Sequence, residues 1–258
     1  MDKALRSVAG RSFIVTGAAS GLGEATARFL ANQGARITVL DMDAAKGEAV
    51  AKDIKGKFVA TDVTSEVSVK NALKVAVESH GGLHGAINCA GIAPPSKVLG
   101  KKGVHSLDLF SKVVTINLIG TFNVCRLAAE IMAANSADPN EDRGVLINTA
   151  SIAAFEGQIG QAAYASSKGG VVALTLPLAR ELASNNIRVC TICPGIMRTP
   201  MLAGLPQPAQ DSLSASVPYP KRLGSPFEFA ALVHHVIQNQ YINGECIRMD
   251  GALRMSPM

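Results

Sequence analysis

Short runs of β-branched and aliphatic residues alternate along this chain with Ala-rich segments of helical length. The first half reads Ser12–Thr16 then Gly21–Gln33, Arg36–Asp41 then Ala44–Ile54, Lys57–Thr61 then Glu66–Ser79, and finally Gly85–Asn88. The second half continues with a long helical stretch at Leu107–Ala134, a strand at Val145–Thr149 and a helix over Ala163–Ala183. A strand at Ile187–Cys193 and a last helix and strand, Pro226–Gln238 and Glu245–Met249, complete the series. Strands that alternate with helices predict a parallel sheet covered on both faces. Most strand candidates are apolar at successive positions rather than at every second one, as strands buried on both faces must be. The expectation is therefore an α/β fold with seven parallel strands, doubly wound. Two segments exceed ordinary connections: Ala93–Ser106, with Pro94-Pro95 and three lysines, and Gly195–Leu223, with five prolines. Loops of that length in a compact fold serve as lids or substrate walls. No linker divides the sequence, so residues 1–258 are expected to form one domain.

Composition narrows this picture. Hydrophobic residues make up 48% and aromatics only 4%, with no Trp, so the core must be built from Ala, Val, Ile and Leu. Net charge is +5, but Lys and Arg are scattered, which argues against nucleic acid as a partner and leaves a polyanionic small molecule. No uninterrupted apolar run approaches the ~18 residues of a membrane span. About ten residues precede the first strand, too few for a removable targeting peptide, and a cytoplasmic location is expected. Five cysteines are an odd number without disulfide-framework spacing, in keeping with reduced thiols. Cys190 and Cys193 spell C-x-x-C, but on a strand a spacing of three sends the two thiols to opposite faces. Gly81-Gly82 breaks the helix that would align His80 with His84, and His234 and His235 point about 100° apart on a helix. No metal site is expected.

The first strand runs directly into Gly17-Ala18-Ala19-Ser20-Gly21-Leu22-Gly23 and a helix. Glycines permit a tight turn and a close approach to a pyrophosphate, while the helix start supplies N–H donors and a favourable dipole. Asp41 ends the second strand, where a carboxylate accepts hydrogen bonds from the adenosine ribose hydroxyls and repels a 2′-phosphate. NAD is thus favoured over NADP. Further on, Tyr164 and Lys168 stand four apart, on one face of the helix they start. Ser151 follows the strand Val145–Thr149, at the carboxyl end where parallel sheets collect ligands. Ser151 and Tyr164 could hold one substrate oxygen between them. The Lys168 cation and a nicotinamide ring would lower the phenol pKa toward working pH, making Tyr164 a general acid and base.

These residues, with Asp62-Val63, Asn88-Cys89-Ala90-Gly91, Asn117, and Pro194-Gly195 with Thr199 in the same order, make the chain resemble the short-chain dehydrogenase/reductase family over essentially its whole length. The resemblance implies a Rossmann fold, commonly assembled as a homotetramer. It places Ser20 and Leu22 at the phosphate turn, Asp41 at the ribose, and Asp62, Val63 and Cys89 on the adenine side. It gives Asn117 a catalytic place, holding a water that relays protons to Lys168, and sets Thr199 against the nicotinamide carboxamide. Cys89 stands where the family often has a second Asn. The stretches Phe155–Tyr164, Thr175–Arg180 and Asn243–Ala252 resemble the branch of the family that acts on 3-hydroxyacyl-CoA. By that resemblance Gln158 lines the substrate side with Ser151 and Tyr164. Cys193, Met197 and Arg198 depart from that branch's pattern of Ala, an aromatic and Gly, beside the acyl end. Lys97, Lys101 and Lys102 are candidate partners for the phosphates of CoA. Two other readings remain open: a dehydrogenase of the same mechanism acting on a steroid or another secondary alcohol, and a protein that binds NAD as a sensor or scaffold.

Overall fold

The computed structural model describes residues 5–101, 103–136, 142–203 and 206–257. The chain starts with β1 (Ser12–Thr16), α1 (Gly21–Asn32), β2 (Arg36–Asp41), α2 (Ala44–Asp53), β3 (Lys57–Ala60), α3 (Glu66–His80) and β4 (Gly85–Asn88). A small antiparallel hairpin follows, β5 (Leu99–Gly100) and β6 (Gly103–Val104). Next come α4 (Leu107–Val114), a π-helical turn (Thr115–Ile119) and α5 (Gly120–Ala133), then β7 (Gly144–Thr149) and α6 (Ala162–Leu182). The last elements are β8 (Ile187–Pro194), α7 (Pro200–Ala203), α8 (Gln207–Ser216), α9 (Pro226–Gln238) and β9 (Cys246–Met249). Seven strands form one sheet in the order β3-β2-β1-β4-β7-β8-β9, every pairing parallel. That is the doubly wound arrangement the pattern predicts.

The successive apolar positions explain why both faces are covered. In β1, Phe13 and Val15 join the core under α1, α2 and α9, while Ile14 joins the core under α3, α5 and α6. The same split runs through β7 and β8, with Ile147 and Ile192 on the first side and Leu146 and Val189 on the second. A side-chain period of two on a strand apolar at each position feeds both layers at once. The stretch Leu107–Ala133 is long and apolar enough, by length and mean hydropathy, to cross a membrane, yet 56% of its 18-residue apolar window is buried inside the protein. Val124, Leu127, Ala128 and Met132 of α5 belong to the second core.

The two long connections are more ordered than their sequences suggest. Ala93–Ser106 contains the hairpin β5–β6, and Gly195–Leu223 contains α7 and α8. Only three residues separate Gly100 from Val104, and α8 buries no residue, so no apolar stripe reads through the prolines around it.

Candidate active site

β1 lies between β2 and β4, so the chain departs from β1 toward one sheet edge and later returns on its other side. Ligands bind in open α/β sheets where the winding reverses, outside the carboxyl ends of the strands. Two turns meet there. Gly17 has φ +64°, and a Cβ on it would lie 2.8 Å from the backbone nitrogen of Ala90. The Thr16 hydroxyl accepts from the backbone N–H of Cys89 at 3.1 Å and of Ala90 at 3.2 Å, locking the turn after β4 against the turn after β1. Ser20 is the N-cap of α1, but its side chain does not cap the helix. The first N–H donors of α1 therefore face the cleft without a side-chain acceptor, as an anion site requires.

Asp41 is held at the tip of β2 by two backbone donors, Ala19 N to Oδ2 at 2.9 Å and Asp43 N to Oδ1 at 3.0 Å. A carboxylate has about four acceptor positions, so it keeps capacity for ribose hydroxyls. Asp62 turns its Oδ1 to the Thr64 backbone and hydroxyl, at 2.9 and 2.7 Å, and Asn123 Nδ2 holds the Val63 carbonyl at 2.9 Å. Asp41, Asp62, Val63 and Thr64, together with Gly17, Ser20, Gly21, Leu22, Gly23, Cys89, Ala90, Gly91, Pro194, Gly195 and Thr199, line one continuous cleft of about 1120 Å³. The same cleft reaches Ser151, Gln158, Tyr164 and Lys168. Pockets for drug-sized ligands run to ~1,000 Å³, so this one has room for a dinucleotide and part of a second molecule.

Two assigned residues stand behind the cleft rather than in it. Asn88 is buried, and its Nδ2 donates to Asn148 Oδ1 at 2.9 Å, tying β4 to β7. It is a support of the strand ends, because the alternation along β4 turns its side chain away from the cleft lining. Asn117 sits in the π-helical turn, fully buried. Its Oδ1 accepts from Ile92 N at 2.8 Å, while its Nδ2 donates to Ile92 O at 2.9 Å and to Ser167 Oγ at 3.0 Å. This side chain clamps the turn after β4 to α6, a positioning role, and π turns often mark functional sites.

The candidate catalytic group is assembled from the segment after β7 and the first turns of α6. Ser151 follows β7 as the N-cap of a short 3₁₀ turn, Ile152–Ala154, with its Oγ accepting from Ala153 N at 3.1 Å. Tyr164 and Lys168 project from one face of α6, with the Lys168 ammonium 5.9 Å from the centre of the Tyr164 ring. Burial raises the phenol pKa above its ordinary value, and a hydrogen bond with Ser151 opposes this. Burial also lowers the Lys168 ammonium from 10.5 to about 8, opposed by the Cys89 and Cys193 thiols. The expected depression of the tyrosine is thus reversed in the free protein. Both groups lose hydration, and Lys168 Nζ donates to the Thr149 carbonyl, at 2.6 Å.

The remaining sequence candidates fall outside this group. Gln158 lines the cleft, but its side-chain amide donates to the Ser256 carbonyl at 3.1 Å. Lys97 and Lys101 are exposed on the approach to the hairpin and at its turn, and Lys102 lies outside the described residues. Cys190 joins the core beneath α9, whereas Cys193 packs with Ala150 and Val171 on the opposite face of β8. Met197 is buried, and Arg198 is exposed with its N–H donating to the Gly224 carbonyl. Several cleft residues carry no motif at all: Leu202, Leu213 and Met255. Their only sequence signal is that they fall in or after the second long connection.

The uncapped α1, the glycine cradle against Ala90 and the anchored Asp41 fit the phosphates and ribose of a nicotinamide dinucleotide. The comparisons with known proteins agree with this chemistry. The family described as short chain dehydrogenase matches residues 11–210. The chain is 52% identical over 262 residues to "3-hydroxyacyl-CoA dehydrogenase type-2" of Bos taurus, covering 100% of both, and 52% identical over 261 residues to the protein of that name from Homo sapiens, again covering 100% of both. The crystal structure of 3-hydroxyacyl-CoA dehydrogenase type-2 from Mycobacterium avium superposes with a TM-score of 0.93 at 43% identity, covering 96% of this chain and 98% of that one. With that match over most of its length, and with serine, tyrosine and lysine gathered at the switch point, this chain belongs to the short-chain dehydrogenase family.

Proposed function

We propose that this enzyme interconverts a 3-hydroxyacyl-CoA and a 3-oxoacyl-CoA, using NAD as the hydride carrier. The observation that carries the reaction type is the meeting of the Ser151 and Tyr164 hydroxyls in the cleft that also runs past Gly17 and Asp41. The substrate class rests on the full-length relatives named for it. NAD rather than NADP is supported by Asp41 and by Lys46, a neighbouring cation that is already paired with Asp43 at 2.9 Å. The nicotinamide ring, when bound, supplies the hydride chemistry at C3 of the acyl chain.

The chain's own residues manage the oxygen and its proton. Ser151 Oγ and Tyr164 Oη converge on the substrate oxygen, and Ser151 stabilises the oxyanion as it develops. A single donor of that kind contributes roughly 3–4 kcal/mol to the barrier elsewhere. Tyr164 gives its proton to the ketone in reduction and takes the hydroxyl proton in oxidation. Because burial favours the protonated phenol, reduction draws on the form already present at neutral pH. Lys168, tied to Thr149 and next to Tyr164 on α6, supplies a positive charge below about pH 8. Asn117 keeps α6 in register with the turn after β4. We also propose a homotetramer, supported by Ile119, Phe122 and Leu176, apolar residues left exposed on the helical stretch from the π turn into α5 and on α6.

The test is an absorbance assay at the nicotinamide band with NADH or NADPH, offering acetoacetyl-CoA, a steroid ketone and a short ketone in parallel. Turnover of acetoacetyl-CoA with NADH, well above the other ketones, is expected. Preference for the steroid would transfer the reading to another secondary alcohol. No turnover with NADH still bound would favour a sensor.

A further inference from the structure

We propose that the segment after β9, residues 250–257, is a strap forming the acyl-end wall of the cleft, with Met255 setting chain-length preference and Glu156 holding it in place. The proposal rests on the acyl-CoA reading above and deepens it. Met255 lines the cleft beside Gln158 and Gln161, although it lies 91 residues beyond Tyr164 and belongs to no motif. What brings it there is a set of bonds to the stretch between Ser151 and Tyr164.

Glu156 is the centre of that set. Its carboxylate takes both Arg248 nitrogens, at 2.9 and 3.2 Å, and its Oε2 also accepts from the Met255 backbone N–H at 3.1 Å. Arg254 approaches the same carboxylate at 3.3 Å. Asp250 completes the cluster, accepting from Arg248 Nε at 2.8 Å and from Ala252 N at 3.0 Å. Two bonds then run along the strap itself: Ile159 N donates to Pro257 O at 3.0 Å, and Gln158 Nε2 donates to Ser256 O at 3.1 Å. Glu156 and Arg248 are only 22% and 23% exposed, so this bidentate pair is better shielded than an open surface pair.

The geometry has a direct consequence for specificity. Gln158 lies between Ser151 and Tyr164 in sequence and touches both the cleft and the strap, so the strap stands beside the bound oxygen rather than at the adenine end. Met255 offers an unbranched, polarisable thioether, a side chain that adapts to apolar chains of differing length. Shortening it lengthens the space available to the acyl chain. Glu156 touches no substrate; it acts through Met255 and is a positioning residue.

The experiment measures kcat and KM for 3-oxoacyl-CoA esters of four to ten carbons, with NADH, in wild type, Met255→Ala, Met255→Leu and Glu156→Gln. For Met255→Ala, the ratio of kcat/KM for the longer esters to that for acetoacetyl-CoA is expected to rise about tenfold, chiefly through KM, the lower end of what one methylene-sized change in a pocket produces. Met255→Leu should restore the wild-type profile, and Glu156→Gln should shift it in the same direction as Met255→Ala. Hydrogen exchange on Glu156→Gln supplies a readout independent of substrate, with faster exchange expected at the Ile159 and Met255 amides. If Met255→Ala keeps the wild-type chain-length profile while acetoacetyl-CoA is turned over, the wall is refuted and the function stands. If wild type turns over none of the esters, the acyl-CoA reading falls; unchanged exchange in Glu156→Gln overturns the strap in either case.

Discussion

Replacing Lys168 by methionine separates the electrostatic cost of this residue from its role in catalysis. The ammonium is buried at 5% exposure, and burial brings its pKa from 10.5 to about 8. At 1.36 kcal/mol per pH unit, that difference corresponds to about 3 kcal/mol. The folded value lies below the unfolded one, so the cost of burying the charge is fully present below about pH 8 and disappears as pH rises to 10.5. Between those limits the unfolded chain holds a proton that the folded chain does not, and wild-type stability rises with pH. Methionine has a similar length and no proton, so it removes this dependence. It also removes the 2.6 Å bond to the Thr149 carbonyl, a loss of about 1–3 kcal/mol if that oxygen finds no other donor. At pH 7 the two effects oppose each other, and the variant is expected within about 2 kcal/mol of wild type. The diagnostic quantity is the difference in unfolding free energy between the two proteins, from denaturant titrations at half-unit steps from pH 6 to 10. The difference should be flat to about pH 8 and then move in favour of wild type, at a slope approaching 1.36 kcal/mol per pH unit. A difference that stays constant through pH 10 would refute the buried-cation argument.

Tyr164→Phe removes the proton carrier and is expected to cut turnover by roughly 10²–10⁴-fold while NADH still binds by fluorescence titration; a variant with most of its activity would overturn the assignment. Because burial holds the Tyr164 phenol above its ordinary pKa, kcat/KM for oxidation should climb with pH above neutrality and that for reduction should fall, and matching flat profiles would contradict this. Asp41→Asn keeps the shape of the side chain but removes the repulsion of a 2′-phosphate, so the ratio of kcat/KM for NADH to that for NADPH should drop, by about tenfold if the electrostatic term is near 1.4 kcal/mol. Reversing the exposed Lys97 and Lys101 to Glu should raise the KM for acetoacetyl-CoA and flatten or invert its rise with salt, because screening then relieves a repulsion instead of weakening an attraction. An unchanged KM would remove the hairpin from the CoA site.

The residues that were legible in advance are those whose role follows from local spacing. Phe13, Ile14 and Val15 in succession announce a strand covered on both sides, and Gly17-x-x-x-Gly21-x-Gly23 after it announces a phosphate turn. The spacing of Tyr164 and Lys168 places both on one face of a helix before any tertiary contact is known. Other side chains have surroundings set by partners distant in sequence. Asn88 is set beside Asn148 by the β4–β7 pairing, and Asn117 is engaged by Ile92 and Ser167, both of which lie outside its own helix. Met255 has no pattern to mark it, since its backbone is captured by a glutamate 99 residues away.

By itself, then, the sequence determined the alternation of strands and helices, the two-sided burial of the sheet, and the candidate groups for holding a dinucleotide and moving a proton. These rest on periodicity and on glycine's backbone freedom, which act over a few residues. Only the tertiary structure decided the strand order that brings Gly17 against Ala90, the burial that raises Tyr164 and lowers Lys168, and the strap that carries Met255 into the cleft. Hydration is lost, and carboxylates find their guanidinium partners, only when segments far apart in the chain pack together; no local pattern encodes which segments those will be.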